Sequence, residues 1–530
     1  MTIGKLFYLK REVYFEPLIN HWYAWPYLLP PAQAARYISS THLKLMDSFV
    51  KNSKLHVIAS KQLAGGDFLN CSEDQVAAVS QLIESTEHNH KDILELANAI
   101  SELDDMLREH SSGESIEPLY ELIPAPLKGY VELLLDLEHR PTYRLLEALL
   151  YRSQYNKEAL QSVNFGLSTK VDERPFVLNT PRIADNNHLH LSLPFNSPKL
   201  KKLLASRDNP LTMDQIEDIF DGVIQEGGVN FKDLFTCEDQ RASNEDQAES
   251  FNLKYTGHAG FLISDAGKNI LIDPVIPTYD PKYKCYMTDF CQLPEHIDFV
   301  CLTHSHLDHT NIETLLQLRH KVGQVLVPKS NSGLLVDPSI KLMLEQLDFN
   351  VRELEDLDQV PFSTGCITAV PFLGEHGDLN VRSKCAWLVD VSKRKLFFGA
   401  DSSCLDKNMY SRLHQIIGNL DLLAIGMECV GAPYTWLYGA LHTKKIGKSI
   451  KESRRLNGAD SRQAINMVDI FNPKKVCIYA LGAEPCYRYF MGIEYDENSK
   501  QIVESNIMAE LCAKRQIPAK ILIGSQDVYV

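Results

Sequence analysis

The run CLTHSHLDHT, Cys301 to Thr310, places three imidazoles and one carboxylate within six positions: His304, His306, Asp308 and His309. These are ligand types of first-row transition metals, and they rarely gather this densely in a surface turn without a ligand. The apolar residues Phe299 to Leu302 just before them read as a strand, so the histidines begin where a strand gives way to a loop. Such a backbone aims His304 and His306 at one ion and lets Asp308 and His309 reach a second.

Working outward, similar short apolar runs recur: Leu253 to Tyr255, Gly260 to Ile263, Asn269 to Ile272, Gln324 to Val327 and Lys395 to Phe398. Each is bounded by Gly, Pro, Asp or Asn, which marks strands ending in turns. Helical stretches such as Asn311 to His320 lie between some of them, and the alternation predicts a layered α/β sandwich. The most polar stretch, Phe231 to Phe251, is acidic and aperiodic and reads as a linker. It divides the chain into residues 1–245, a mostly helical α+β domain, and residues 246–530, the domain with the metal ligands.

In the first part, Ile93, Leu96, Ile100, Leu103 and Leu107 share one helix face. The stripe reads first as a helix packed within its own domain, and second as a subunit interface. HWYAWPYLLPP, His21 to Pro31, reads as a buried turn in preference to part of a pocket.

The chain has 530 residues, 44% hydrophobic and 23% charged, which is enough for a sizeable core. A net charge of -15 argues against a general nucleic-acid binder. There is no apolar run long enough for a transmembrane helix and no signal-peptide pattern, so a cytoplasmic protein is expected. The 12 cysteines form no CxxC pair, which fits a reduced compartment and argues against cysteine zinc sites.

The HxHxDH run resembles that of the metallo-β-lactamase superfamily, and further motifs follow in that family's order. Asp273 closes the strand in NILIDP, where the family places a supporting carboxylate. GEHGD, Gly374 to Asp378, matches the third metal-binding motif, and Asp401 in FFGADS matches the aspartate between two metals. The resemblance implies an αββα sandwich with a dinuclear site at the strand ends. GEHGD offers Glu375 and His376 side by side, and spacing does not choose between them. Zinc hydrolases of the superfamily use the histidine together with a late one, for which His442 is the nearby candidate.

A longer resemblance covers both domains. WYAWPYLLPP, LPFNSP (Leu193 to Pro198), YTGHAGFLI, RHKVGQVLVPKS, PFLGEHGDLNVRSK, SRRLNGADSRQA and YALGAEP are similar to segments of the diiron β-hydroxylases typified by that of chloramphenicol biosynthesis. That resemblance implies two iron ions in an oxo- or hydroxo-bridged centre held by His304, His306, Asp308, His309, Glu375 and Asp401. Glu375 and Asp401 are the catalytic carboxylates in this reading, and Glu428 in GMECVGAP is a candidate late ligand or hydrogen-bond partner. The implied reaction is O2-dependent β-hydroxylation of an amino acid held as a thioester on the phosphopantetheine arm of a nonribosomal peptide synthetase carrier domain. A homodimer is also implied, with the first domain covering the active site.

The chain has no GxGxxG and no ferredoxin cysteine pattern, so two electrons are expected from an external donor. HTKKIGKSIKESRRLNG, His442 to Gly458, sets six cations against one acid, Glu452. It is read as a solvated helix face, or as a surface meeting an acidic carrier domain or its phosphopantetheine phosphate. The main rival is a dinuclear zinc hydrolase using His376. Flavodiiron oxygen reductases also resemble the motif, but they have a glutamate at the place of His306 and carry a flavin module that is not evident here.

Overall fold

The computed structural model describes residues 5–62, 68–168, 174–241, 250–281, 287–492 and 494–530. Its C-terminal half is built on two seven-stranded sheets. The first runs, in spatial order, Val351–Leu354, Val322–Pro328, Ile297–Cys301, Lys268–Ile272, Gly260–Asp265, Asn252–Gly257 and Gln526–Asp527. The second runs Gln359–Phe362, Gly365–Val370, Ala386–Val391, Arg394–Phe398, Leu422–Gly426, Lys475–Tyr479 and Ala519–Ile521. Each apolar run read from the sequence lies in one of these strands, except that Leu302 falls one residue past the end of Ile297–Cys301. Alternate side chains of the facing sheets, among them Tyr255, Phe261, Ile272, Ile367, Trp387 and Phe398, fill the layer between them.

Helices cover both outer faces, giving an αββα sandwich. Lys407–Ile417, Ser461–Phe471 and Lys500–Lys514 pack on the second sheet. Ile312–Leu318 and Ile340–Glu345 pack on the first. The helix after the histidine run starts at Ile312 because Asn311 caps it, accepting the Thr314 backbone N–H at 2.8 Å.

The N-terminal half is α+β. A five-stranded sheet in the order Trp22–Tyr23, Val13–Ile19, Gln161–Leu167, His188–Leu191 and Gln225–Gly227 is joined by helices that include Pro31–Tyr37, Leu43–Lys51, Val76–Asn89 and Lys91–Glu109. Ile93, Leu96, Ile100, Leu103 and Leu107 are all buried within the chain, so the stripe is core and not a subunit interface. The boundary placed near residue 245 lies outside the described residues. One apolar core runs from the N-terminal sheet into the outer helices of the first sandwich sheet, so the two halves share packing.

HWYAWPYLLPP is a largely buried segment, the strand Trp22–Tyr23 followed by a turn that leads into the helix Pro31–Tyr37, and it reaches the histidine loop. Trp22, Trp25 and Tyr27 are fully buried, the Tyr27 hydroxyl donates to the Val336 carbonyl at 2.9 Å, and Ser305 Oγ donates to Tyr27 at 3.3 Å.

A pH effect on stability follows from Glu147. One of its carboxylate oxygens accepts the Ser339 N–H at 2.9 Å, while the other is buried without a partner. Burial pushes this carboxyl up from an ordinary 4.5 to about 7. The unfolded chain releases the proton near 4.5 and the native chain only near 7, so this group makes stability fall as pH rises between those values. Glu147→Gln is expected to match the parent near pH ~4.5 and to exceed it by about 3 kcal/mol near pH ~8. Denaturant midpoints at the two pH values measure this, and an equal offset at both contradicts it.

Candidate metal centre

The six expected ligands, with Asp273 and Glu428, emerge at one end of the sandwich. Asp273 follows the strand Lys268–Ile272, and His304 to His309 follow Ile297–Cys301. Glu375 follows Gly365–Val370, Asp401 follows Arg394–Phe398, and Glu428 follows Leu422–Gly426. Carboxyl ends of strands are where open sheets leave a crevice, and here both sheets open onto the same one.

Three clusters form there, each with ligand atoms within 4.8 Å of one another: His304, His306 and Glu375; His304, His309 and Asp401; and His258, Asp308 and His309. Glu375 Oε1 lies 2.9 Å from His306 Nδ1. Asp401 Oδ2 lies 3.6 Å from His304 Nε2 and 3.0 Å from His309 Nε2, which puts it between the two groups. Asp308 Oδ2 lies 3.5 Å from His309 Nε2 and 2.9 Å from His258 Nε2. All six residues expected as ligands therefore converge.

The groups are prepared for a cation. His304 Nε2, His309 Nε2 and Asp401 Oδ1 are buried with no hydrogen-bond partner, a costly state unless an ion takes their lone pairs. Burial pushes His304 far below the ordinary imidazole range. Burial opposes charge on His309 too, but the carboxylates of Asp401, Asp308 and Asp273 raise it well above that range. Burial, followed by the charges of Asp308, Asp401 and Glu375, raises Glu428 strongly, which places this carboxyl against the same cluster. The donor set of imidazoles and carboxylates suits a first-row transition metal.

Neighbouring groups hold the ligands. Asp273 is buried and accepts from Thr303 N at 2.8 Å, Thr303 Oγ1 at 2.6 Å and His309 Nδ1 at 2.7 Å. The last bond fixes the tautomer that leaves His309 Nε2 facing the centre. The loop Gly374 to Asp378 is strained: Glu375, His376, Gly377 and Asp378 have φ of 59, 47, 54 and 59°. It is clamped by Lys384 Nζ donating to the Gly374 carbonyl at 2.8 Å and by Arg454 Nε donating to the Gly377 carbonyl at 2.6 Å. Gly426 is obligatory for a different reason, because a Cβ there would lie 2.6 Å from Asp401 Oδ1.

His376 takes a different place from Glu375. Its Nδ1 meets the Tyr438 hydroxyl at 2.7 Å, and that hydroxyl also lies 2.9 Å from His306 Nε2. His376 belongs to none of the three clusters, and neither does His442, whose ring stacks edge-on against Tyr434 at 5.7 Å. The late histidine that a zinc-hydrolase site needs is thus not supplied by His442.

His258 and Tyr438 escaped the sequence reading. His258 sits in the turn joining two strands, at φ 48°, and a lone histidine in the stretch Gly257-His258-Ala259-Gly260 was the available signal. Nothing in the spacing marks Tyr438.

Beside the ligands lies a cavity walled by Phe176, Leu178, Leu437, Phe490 and Met491, with His306, Asp308, Glu375, Asp401 and Glu428 at its polar end. Phe176 and Leu178 come from the N-terminal half, so that half closes over the site.

Residues 8–239 match the diiron non-heme β-hydroxylase N-terminal domain, and residues 268–435 match the beta-lactamase superfamily domain. The chain is 35% identical over 516 residues to the 4-amino-L-phenylalanyl-[CmlP-peptidyl-carrier-protein] 3-hydroxylase of Streptomyces venezuelae, covering 94% of this chain and 95% of that one. It superposes on the crystal structure of CmlA, a diiron β-hydroxylase from Streptomyces venezuelae, with a TM-score of 0.90 and 32% identity, covering 99% of this chain and 100% of that one. A mutant of CmlA gives a TM-score of 0.88 at the same identity and coverage. With kinship running through both halves and a histidine–carboxylate centre at the sandwich edge, the chain belongs to the diiron non-heme β-hydroxylases.

Proposed function

We propose that the enzyme hydroxylates Cβ of an aromatic aminoacyl group tethered as a thioester to a nonribosomal peptide synthetase carrier domain, with O2 as co-substrate. His304, His306 and Glu375 would hold one iron and Asp308 and His309 the other, with Asp401 placed between the two groups. Glu428 stands beside them as a late ligand or hydrogen-bond partner. The observation that carries this reading is the company Glu375 keeps: it lies with His304 and His306, whereas His376 is drawn off to Tyr438.

The iron pair supplies the O2 activation. In the net reaction the Cβ–H bond becomes Cβ–OH, the second oxygen atom leaves as water, and two electrons and two protons are taken up. The electrons come from a separate donor. The chain's own part is positional. Asp273 holds His309, His258 donates to Asp308, and Tyr438 ties His306 to His376. The apolar wall of Phe176, Leu178, Leu437, Phe490 and Met491 offers an aromatic side chain its contact surface beside the polar end. The relative's 4-amino-phenylalanyl substrate is of this kind.

The reading places the enzyme in the cytoplasm beside a synthetase, and no helix of the described residues is long and apolar enough to cross a membrane. It also includes a homodimer. Tyr120, Leu122, Leu135, Leu137 and Leu149 expose large apolar side chains on and around the hairpin Val131–Leu135/Pro141–Leu145, a surface that a second copy would cover.

Metal analysis with optical spectroscopy tests the centre. About two irons per chain with near-ultraviolet absorption that reduction bleaches is the expected result. About two zincs and a featureless spectrum would restore the hydrolase reading.

A further inference from the structure

A cleft of about 1030 Å³ opens beside the catalytic cavity, and Phe176, Leu178 and Trp436 line both. These three side chains are the threshold between the two spaces, with the Phe176 and Trp436 rings edge-on at 6.1 Å. The cleft is strongly cationic. Lys44, Lys444, Lys445, Lys448, Lys451 and Arg455 line it, with Glu452 the one acid among its lining residues. Lys444 pairs with Asp105 at 2.6 Å and Lys448 with Glu452 at 3.6 Å. Lys44, Lys445 and Lys451 are exposed and have no carboxylate partner among the described residues.

Arg36 strengthens the field from within. It is 5% exposed, and its guanidinium donates only to neutral acceptors: the carbonyls of Ala97, Ala440 and His442 and the Ser101 hydroxyl. A buried cation without a carboxylate partner leaves net positive charge in the wall of the cleft. In a chain of net charge -15, this concentration of uncompensated cations calls for an anionic ligand.

We infer that this cleft receives the phosphopantetheine arm of the carrier domain, with Lys44, Lys445 and Lys451 facing its phosphodiester and the Phe176–Trp436 threshold passing its thioester end to the catalytic cavity. The inference rests on the carrier-tethered reading above and adds the place where the arm enters. It joins the two halves of the chain in one task, since Lys44 and Phe176 come from the first and Lys445, Lys451 and Trp436 from the second. The basic segment read from the sequence thus acts as one wall of a cleft rather than as a free helix face.

The test uses the iron-loaded enzyme and a fluorescently labelled CmlP-type peptidyl carrier domain, prepared with its phosphopantetheine arm and without it. Dissociation constants are read by anisotropy. The parent enzyme is expected to bind the armed carrier at least about tenfold tighter than the bare one, and increasingly so at low salt. The triple variant Lys44→Glu, Lys445→Glu, Lys451→Glu is expected to lose that preference while keeping its iron content. The triple Lys-to-Arg variant at the same positions is expected to keep it. Equal affinity of the parent for armed and bare carrier, or an unchanged preference in the charge-reversed variant, would overturn the assignment. If the parent instead ignores both carriers and hydroxylates the free amino acid, the carrier-tethered reading fails, and this site with it.

Discussion

Glu375→Gln is expected to drop iron content from about two to about one per chain and to cut hydroxylation more than about 100-fold. The magnitude follows from the ligand's place: hydrogen-bond partners of ligands are already worth about 10–100-fold, and a direct ligand is worth more. His376→Gln is expected to keep both irons, because that side chain contributes a hydrogen bond to Tyr438 and is absent from the three clusters. Its loss of activity should stay within about 10–100-fold, the scale of a positioning contact. Inductively coupled plasma analysis beside turnover separates the two. The reverse pattern, iron lost with His376 and kept with Glu375, would show that the third motif works as it does in zinc hydrolases.

The second large effect is on stability. Glu16 is 1% exposed, and Arg182 grips it with Nε and Nη2, each at 2.8 Å from a carboxylate oxygen. Burial alone would raise Glu16, but Arg182 and then Arg174 hold it down at about 2. Arg174 also pairs with Glu313 at 3.0 Å, and Glu313 lies on the helix that follows the histidine loop. Through Arg174, two residues before Phe176, this ion network ties the N-terminal sheet to the helix that follows the histidine loop.

Arg182→Met strands Glu16 with only the more distant Arg174, at 3.7 Å. The expected cost is about 3–5 kcal/mol, the usual penalty for breaking one side of a buried pair. Adding Glu16→Met should recover most of that loss, because the penalty belongs to the unpaired charge rather than to the missing bond. Denaturant unfolding of the single and double variants measures both, and a double variant no better than the single would contradict this account. Because the pairing depresses Glu16, its contribution is present above pH 4.5 and is lost as pH falls through about 2.

The sandwich could be read from the chain because each of its predicted strands is a short apolar run closed by turn residues, a pattern that needs no tertiary knowledge. The candidate ligands were legible for a related reason. Four of them sit within six positions, Asp401 comes shortly after a recognisable strand, and the supporting Asp273 directly follows another. Glu375 was visible only as one of two neighbours, since spacing cannot tell which side chain a strained loop turns inward. The φ of 59° at Glu375 and the grips of Lys384 and Arg454 on the loop are tertiary facts.

His258 and Tyr438 were missed because their contacts span 50 and 132 residues, and no local pattern encodes such a meeting. The Ile93 to Leu107 stripe shows the opposite difficulty. A helix face looks the same whether a neighbouring helix or a second subunit covers it, and only burial within the chain decides. The HWYAWPYLLPP run was read as a buried turn, but its support of the histidine loop through Tyr27 and Ser305 could not be read from its aromatic content.

Following the oxygen separates hydroxylation from hydrolysis in one experiment. Iron-loaded enzyme, a chemical reductant and a carrier domain charged with 4-aminophenylalanine are mixed under 18O2, and the intact carrier is weighed by mass spectrometry. The tethered aminoacyl group is expected to gain one heavy oxygen atom at Cβ while the thioester stays intact. Release of the amino acid from its carrier without incorporation of the label would contradict the hydroxylase reading and mark the protein as a hydrolase.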